Sequence, residues 1–445
     1  MARPTGVPTH SRSHLDLLTG HAAGQVLQTA LRGHGQVLSW RANQVDHQPR
    51  RGSTAGYRVR VRWPDGSVSD ERFGAFTGQP PPGAVVVADG GDQVTVWRVP
   101  HDPYLPGLAA AYDGPAVGEL MAGLGLGGGP ARLVLRAYRP RRRAVVEAVG
   151  PGGRLFLKVV RPGQVESLHE RHRLLTGAGV PVAPSLGYTP EGLLALQHLP
   201  GRSLREVLRT RSGAAPPPAA ILDLLDRLPA ELMDAPSRRS WLRRVEQFGA
   251  VIAASLPGEA ERSVQLATAI AAEAGTGPTV AVHGDLYENQ LRVRGGRLTG
   301  LLDIDTAGPG DRLDDLACLL GHLSVLTLIA PERATAISGL GAHYLAAFER
   351  TVDPVDLRYR VAAVVLSLAT GPYRVQDSGW RRATRVRLEL VERWLDSART
   401  LAGGRGGYRA ADGAGVRAVS AGSQDRLTIA VDAVSGGAGR PGRAP

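Results

Sequence analysis

Residues 279–317 of this chain read TVAVHGDLYENQLRVRGGRLTGLLDIDTAGPGDRLDDLA. Three aspartates in that stretch, Asp285, Asp303 and Asp305, close short apolar runs. A carboxylate at the end of a buried strand costs free energy unless it binds a cation or moves a proton. One such residue would mean little. Three of them, with the side-chain amides of Asn289 and Gln290 between, have the composition of a Mg2+-nucleotide site. Asp305 has two readings, as a second metal ligand or as an exposed turn residue.

The other residue that suggests chemistry is Lys158. The chain has 53 basic residues, of which 52 are arginine and one is lysine. That lysine lies in the apolar run Leu155-Phe156-Leu157-Lys158-Val159-Val160. A compact ammonium on a flexible stem reaches between phosphates in a way that a planar guanidinium does not. A lysine inside a hydrophobic strand matches the phosphate-contacting pattern of nucleotide enzymes. It also matches a lysine snorkelling from an edge strand, and the run alone does not choose.

Bulk properties bound the answer. The 445 residues are enough for two to three folding units, and 43% hydrophobic content suffices for real cores. No apolar run reaches 18 residues, so no membrane span is expected. The N-terminal residues lack a basic-then-apolar export signal, and a single cysteine, Cys318, suits a reducing compartment; a cytoplasmic location is expected. Cys318 sits in an apolar helical stretch and reads as a packed thiol. The net charge of +12 invites a nucleic-acid reading. Residues 201–402, however, carry 25 basic and 24 acidic side chains. The excess lies outside the stretch with the chemical motifs, so neither a nucleic acid nor a membrane is expected as partner. Arg139 to Arg143 (Arg-Pro-Arg-Arg-Arg) is the one tight basic cluster.

Elements must position these residues. A short helix is expected over residues 15–31, then strands over 36–99, where Tyr57 to Trp63 alternates with period two before a Pro64-Asp65-Gly66 turn. A hairpin is expected across residues 89–92. Residues 101–106 and 123–130 read as linkers. Three strands follow, at 131–138, 143–148 and 154–160, then a helix over 164–176 and an apolar strand over 193–199. Helices are expected over 203–213, 219–234, 238–254 and 258–274. A strand-rich island covers 279–304, and 311–402 is helical. The Gly-, Ala- and Arg-rich residues 403–445 read as a disordered tail.

These motifs resemble the aminoglycoside phosphotransferase-like small-molecule kinases. The resemblance rests on His283-Gly284-Asp285-Leu286, then Leu301-Leu302-Asp303-Ile304, then Gly308-Pro309-Gly310-Asp311 running to Asp315-Leu316-Ala317, with Lys158 upstream in the family's order. It covers about residues 130–400. It implies an α+β, bilobal protein-kinase-like fold, with a β-rich N-lobe (109–200) and a helical C-lobe (201–402), preceded by a small antiparallel β accessory domain (1–108). The placement of that region is like the cap of maltokinase-like enzymes.

The resemblance also implies roles. Asp285 would take or orient the proton of an acceptor hydroxyl. Asp303 would hold Mg2+, with Gln290 and Asp305 as further metal ligands. Lys158 would pair with the nucleotide phosphates, positioned by Glu170. Gln197, His198 and Leu199 would bind adenine through main-chain groups. His283 would brace the catalytic turn, and Asp315 would anchor its backbone. ATP and Mg2+ are the implied cofactors, and a small-molecule hydroxyl (sugar, amino sugar or aminoglycoside) the implied acceptor; oligomeric state is unspecified.

Two positions depart from the family pattern. Gln290 stands where the family has a metal-binding asparagine, as in maltokinase-like members. No glycine-rich phosphate loop joins the first two strands of the resemblance; Arg139 to Arg143 occupies that place, either as phosphate contacts or as a solvated turn. These departures keep open a pseudokinase or nucleotide-binding regulatory module. Asp311 and Asp314 read as helix caps in preference to pocket residues. Arg374, Gln376 and Asp377 lie either at the acceptor site or in a plain inter-helix loop.

Overall fold

The computed structural model describes residues 14–411, apart from 32, 49–51, 90–91, 211–212, 237–239, 274 and 276. The turn expected at residues 89–92 falls partly outside the described residues, as does most of the expected tail. Its first part, residues 403–411, is not a tail: helix Trp380–Ala411 runs through it. The whole is α+β, with two five-stranded sheets followed by a helical region.

The first sheet holds β1 (Gln36–Gln48), β2 (Gly52–Arg62), β3 (Val68–Phe76), β4 (Val86–Asp89) and β5 (Asp92–Arg98), in the order β1-β2-β3-β5-β4. All its pairings are antiparallel. The alternation read from residues 57–63 is real: Tyr57, Val59 and Val61 are buried, while Arg58, Arg60 and Arg62 are exposed. Helices His14–Thr19 and Ala22–Ala30 pack on the buried face through Leu18, Ala23 and Leu27. The same core takes in Tyr373, with Trp380 against it, from the far end of the chain.

The second sheet holds β6 (Arg132–Arg139), β7 (Arg143–Gly150), β8 (Gly153–Val160), β9 (Ser185–Tyr188) and β10 (Leu193–Gln197), in the order β6-β7-β8-β10-β9. β8 is the middle strand. Lys158 pairs with Val145 on one side and Leu194 on the other, which removes the edge-strand reading. Period two sends Leu157 and Val159 to one face, where they join the core built on Leu105, Leu108, Val117 and Met121. Lys158 points to the other face with Val160, toward helix Pro162–Gly177.

Residues 101–106 are not a free linker. Asp102 and Leu105 are buried, and a helix at Gly114–Gly123 follows, capped by the Asp113 carboxylate on the Ala116 N–H. Sequence composition misled here because the two residues that matter are dispersed among histidine and prolines.

In the helical region, β11 (Arg202–Ser203), β13 (Leu291–Arg294) and β14 (Arg297–Leu301) form a small sheet. β12 (Thr279–Val282) pairs with β15 (Gly308–Asp311), which lies beyond the strand-rich island expected over 279–304. Asp311 caps helix Arg312–Ile329 through the Leu313 N–H. It also binds Arg360 of helix Pro354–Ala369 at 2.6 Å, and Asp314 binds the same guanidinium at 2.7 Å. Asp356 stands 3.8 Å from it. No single described helix is long and apolar enough to cross a membrane; helices Arg312–Ile329 and Pro331–Phe348 pass that test only as a pair bent by 113°.

Arg360 is among the largest fully buried side chains, and its charge is balanced by buried Asp314 and partly buried Asp311. Arg360→Ala is expected to cost about 3–5 kcal/mol, because it strands buried charge. Denaturant unfolding checks this; a loss of only a few tenths would mean that the network contributes nothing.

Candidate active site

Lys158, Asp303 and Asp305, separated by some 145 residues of chain, meet in one ion cluster. Lys158 Nζ donates to Asp303 Oδ1 at 3.1 Å and also to Asp305 Oδ1. Arg143, the first residue of β7, donates to both Asp303 oxygens at 2.6 and 2.8 Å, and to Asp305 Oδ2 at 3.1 Å. The Lys158 side chain is only 6% exposed. Burial raises the Asp303 carboxyl, but the Lys158 and Arg143 charges outweigh it and hold the group well below the usual carboxylate range. For Arg143, burial is likewise outweighed by the two aspartates, and its guanidinium is pushed up.

The backbone at Asp303 explains how both carboxylates reach the cluster. Asp303 has φ 57° and ψ 51°, the left-handed region, and leads a 3-10 turn at Ile304–Thr306. Aspartate tolerates that region better than most residues, at a cost that the surroundings must cover. Here the Leu302 N–H donates to the Gln290 carbonyl at 2.8 Å, and His283 Nε2 donates to the Leu302 carbonyl at 2.9 Å. Gln290 is buried and its Nε2 lies 3.3 Å from Asp303 Oδ2. All three expected metal-binding residues therefore gather around one point of the cleft.

The turn bearing Asp285 is held from below. Asp315 is fully buried and accepts from the His283 and Gly284 N–H groups at 2.7 and 2.8 Å. Burial pushes its carboxyl up despite those donors. Since His283 Nε2 carries its proton toward Leu302, its Nδ1 is left to accept from the Asp285 N–H at 3.3 Å. Gly284 has φ +77°, and a Cβ there would meet the Thr306 carbonyl at 2.7 Å, so only glycine fits. Asp285 itself is half-buried, with the Cys318 thiol 4.0 Å from its Oδ1.

Glu170 requires a correction. Its side chain is 59% exposed and pairs with Arg173 at 3.4 Å; it does not touch Lys158. The buried stripe of helix Pro162–Gly177 is Val165, Leu168, His172 and Leu175, and Glu170 lies off it. That spacing was readable in the sequence. The helix instead offers two residues the sequence reading passed over. Arg171 Nη1 donates to the Asp305 carbonyl at 3.0 Å, and buried His172 donates from Nδ1 to the Ala183 carbonyl at 2.7 Å.

Gln197, His198 and Leu199 lead from β10 to β11, the link between the second sheet and the helical region. His198 stacks on Phe156 at 6.0 Å, and Leu199 packs against Gly300 of β14. Arg139 to Arg143 is not a solvated turn. Arg141, at φ 66°, lies over the Phe76 ring at 3.2 Å and donates to Thr54 Oγ1 at 2.8 Å, both in the first sheet. Asp102 accepts from the Arg141 N–H at 2.8 Å and from the Tyr138 hydroxyl at 2.9 Å.

Residues 132–356, just over half of the chain, match the sequence model of the phosphotransferase enzyme family. The chain belongs to that family. It is accordingly a phosphotransferase of the small-molecule kinase class. No curated protein sequence matches it. Among solved structures, the macrolide 2'-phosphotransferase MphH from Brachybacterium faecium is 22% identical with a TM-score of 0.36, over 61% of this chain and 97% of that one. A choline/ethanolamine kinase family protein from Mesorhizobium loti is 18% identical, TM-score 0.41, over 60% and 88%. The amicoumacin kinase hAmiN is 14% identical, TM-score 0.44, over 63% and 95%.

Two measurements follow for this phosphotransferase. Asp315→Ala strands two buried N–H groups, at about 1–3 kcal/mol each, and should destabilise the protein by roughly 2–6 kcal/mol in denaturant unfolding. The second concerns buried histidines. Burial, then the Lys158 charge, lowers His172 to about 4, and burial lowers His322 to about 3. The unfolded chain thus binds more protons below its histidine range. Stability should be complete above about pH 6.5 and fall as pH drops toward 4. Unfolding midpoints across that window should show a shallower slope in His172→Gln than in the parent; equal slopes would contradict the assignment.

Proposed function

We propose that this chain is an ATP- and Mg2+-dependent kinase that moves the γ-phosphate to a hydroxyl of a small polar metabolite. One observation carries the reading: Lys158 and Arg143 together grip Asp303 and Asp305 beside Gln290, at the edge of the turn that bears Asp285. Buried Lys158, partly buried Arg143 and two carboxylates neutralise each other and form a site ready to exchange partners. A divalent cation suits the oxygen donors of Asp303, Asp305 and Gln290, and the cations thereby released suit phosphate.

Each residue then has one task. Lys158 and Arg143 bind phosphate oxygens, with Arg143 standing in for the amides of a glycine-rich loop. Asp303, with Gln290 and Asp305, holds Mg2+, which when bound neutralises charge on the transferring phosphoryl group. Asp285 accepts the hydroxyl proton while the acceptor oxygen bonds to phosphorus and the bond to the ADP oxygen breaks. Asp315 and His283 hold Asp285 in place. The main chain at Gln197, His198 and Leu199 is suited to the adenine edge. Glu170 has no role in this scheme. Residues 14–98 form an accessory unit on the second sheet, and a cytoplasmic setting accords with the use of ATP.

The alternative of a nucleotide-binding regulatory module rested on Gln290 and the absent glycine loop. The position of Gln290 beside Asp303 and the reach of Arg143 count against it.

Mg2+-dependent ATP turnover with a panel of sugars, amino sugars and aminoglycosides tests the proposal. Asp285→Asn should lower turnover by roughly 10²–10⁴ without abolishing nucleotide binding. Nucleotide binding with no turnover on any acceptor would favour the regulatory module, and neither binding nor turnover would refute the site.

A further inference from the structure

A cavity of about 1200 Å³ lies between the first sheet, the β6–β7 turn, the start of helix Pro162–Gly177 and the Asp305-Thr306 segment. Six arginines line it, at 139, 141, 142, 143, 161 and 171, against two carboxylates, Asp46 and Asp305. We propose that this cavity receives the anionic group of the phosphoryl acceptor, so that the substrate is a hydroxylated carboxylate or phosphate ester and not a polycation. The inference rests on the kinase reading above and names its substrate class.

The nucleotide accounts for only part of the wall, where Arg143 and Asp305 of the ion cluster border it. A nucleotide lying from Gln197–Leu199 to Lys158 follows residues that are all absent from the cavity wall. The cavity ends instead at Thr306, whose hydroxyl donates to the His283 carbonyl at 3.0 Å, two residues before Asp285. A molecule seated against Thr306 is thus one hydrogen bond removed from the backbone of the turn that bears Asp285.

Among the described residues of the wall, carboxylates are fewer than arginines. Arg143 is committed to Asp303 and Asp305. Arg142, 60% exposed, pairs with Asp46 at 3.7 Å, and such a surface pair contributes little. Arg161 spends its Nε on the Arg141 carbonyl at 2.9 Å. The Nε atoms of Arg141 and Arg171 are buried with no hydrogen-bond partner among the described residues. Burial, and next to it the charges of Arg143, Arg374 and Arg142, pulls the Arg139 guanidinium below its ordinary value. An anion relieves this crowding, whereas a polyamine adds to it. Thr77, Gln79, Gln164 and Ser167, also on the wall, offer partners for hydroxyl groups. The first sheet supplies the roof, and Arg141 is fixed to it through Phe76 and Thr54, with Tyr104 of the following segment against the same guanidinium.

Calorimetric titration of the full chain with glucose 6-phosphate, gluconate, glucose and spermidine tests the proposal without requiring turnover. The double variant Arg142→Gln/Arg161→Gln leaves the ion cluster intact and serves as the comparison. Expected is binding of at least one of the two anions, weakened tenfold or more in the variant, with AMP-PNP affinity unchanged; which anion binds distinguishes phosphate from carboxylate. Preference for glucose or spermidine, no binding by any probe, or anion binding indifferent to the variant would overturn it. So would an equal loss of AMP-PNP affinity, which would assign these arginines to the nucleotide. Loss of AMP-PNP binding in the parent chain, with anion binding retained, would instead count against the kinase reading alone.

Discussion

Four charges, one buried and three partly buried, meet at the cleft. Lys158 and Arg143 come from the second sheet, and Asp303 and Asp305 come from the loop after β14. Removing one leaves a partly buried charge without its counterion, and desolvation offsets much of what the intact cluster gains. Such a cluster is a poor way to stabilise a fold. It is a good way to keep two halves of a site in register until a ligand of opposite pattern arrives. The strained backbone at Asp303, the pairing of Leu302 with Gln290 and the His283 bridge all serve to point two carboxylates at one lysine.

The first sheet acts on the same cluster from the other side. A glycine-rich loop over phosphates is mobile by composition. Here the equivalent turn is tied down: Arg141 is clamped against Phe76 and Tyr104, and Asp102 fixes its backbone. Arg143 stands two residues further on, so the clamp determines where its guanidinium points. The sheet also packs Tyr373 and Trp380 from the helical region into its core. One accessory layer thus touches both walls of the cleft, which makes the cavity beneath it a built feature of the fold.

The grouping of the aspartates in one region was legible because they are close in the chain. Asp285, Asp303, Asp305 and Asp315 fall within 31 positions, and the types of their neighbours restrict what they can do. Lys158 was legible through its rarity, and the sheet register then placed it on the middle strand. Glu170 was carried over from the resemblance without regard to helical phase; the stripe of Val165, Leu168, His172 and Leu175 already placed it outside. Asp102 and Arg141 were not legible at all. Their partners lie 36 to 87 positions away, and a single sequence holds no record of which buried carboxylate meets which turn. The strand at Gly308–Asp311 was hidden for a related reason, since its glycines and proline read as a turn until β12 is beside it.

The central claim is that the ion cluster exchanges partners when nucleotide binds. A crystal structure of the full chain with Mg2+ and AMP-PNP tests it most directly. The account predicts Mg2+ on Asp303, with Lys158 and Arg143 turned from the carboxylates onto phosphate oxygens. Nucleotide bound in the cleft with the Lys158, Arg143, Asp303 and Asp305 contacts unchanged would contradict it.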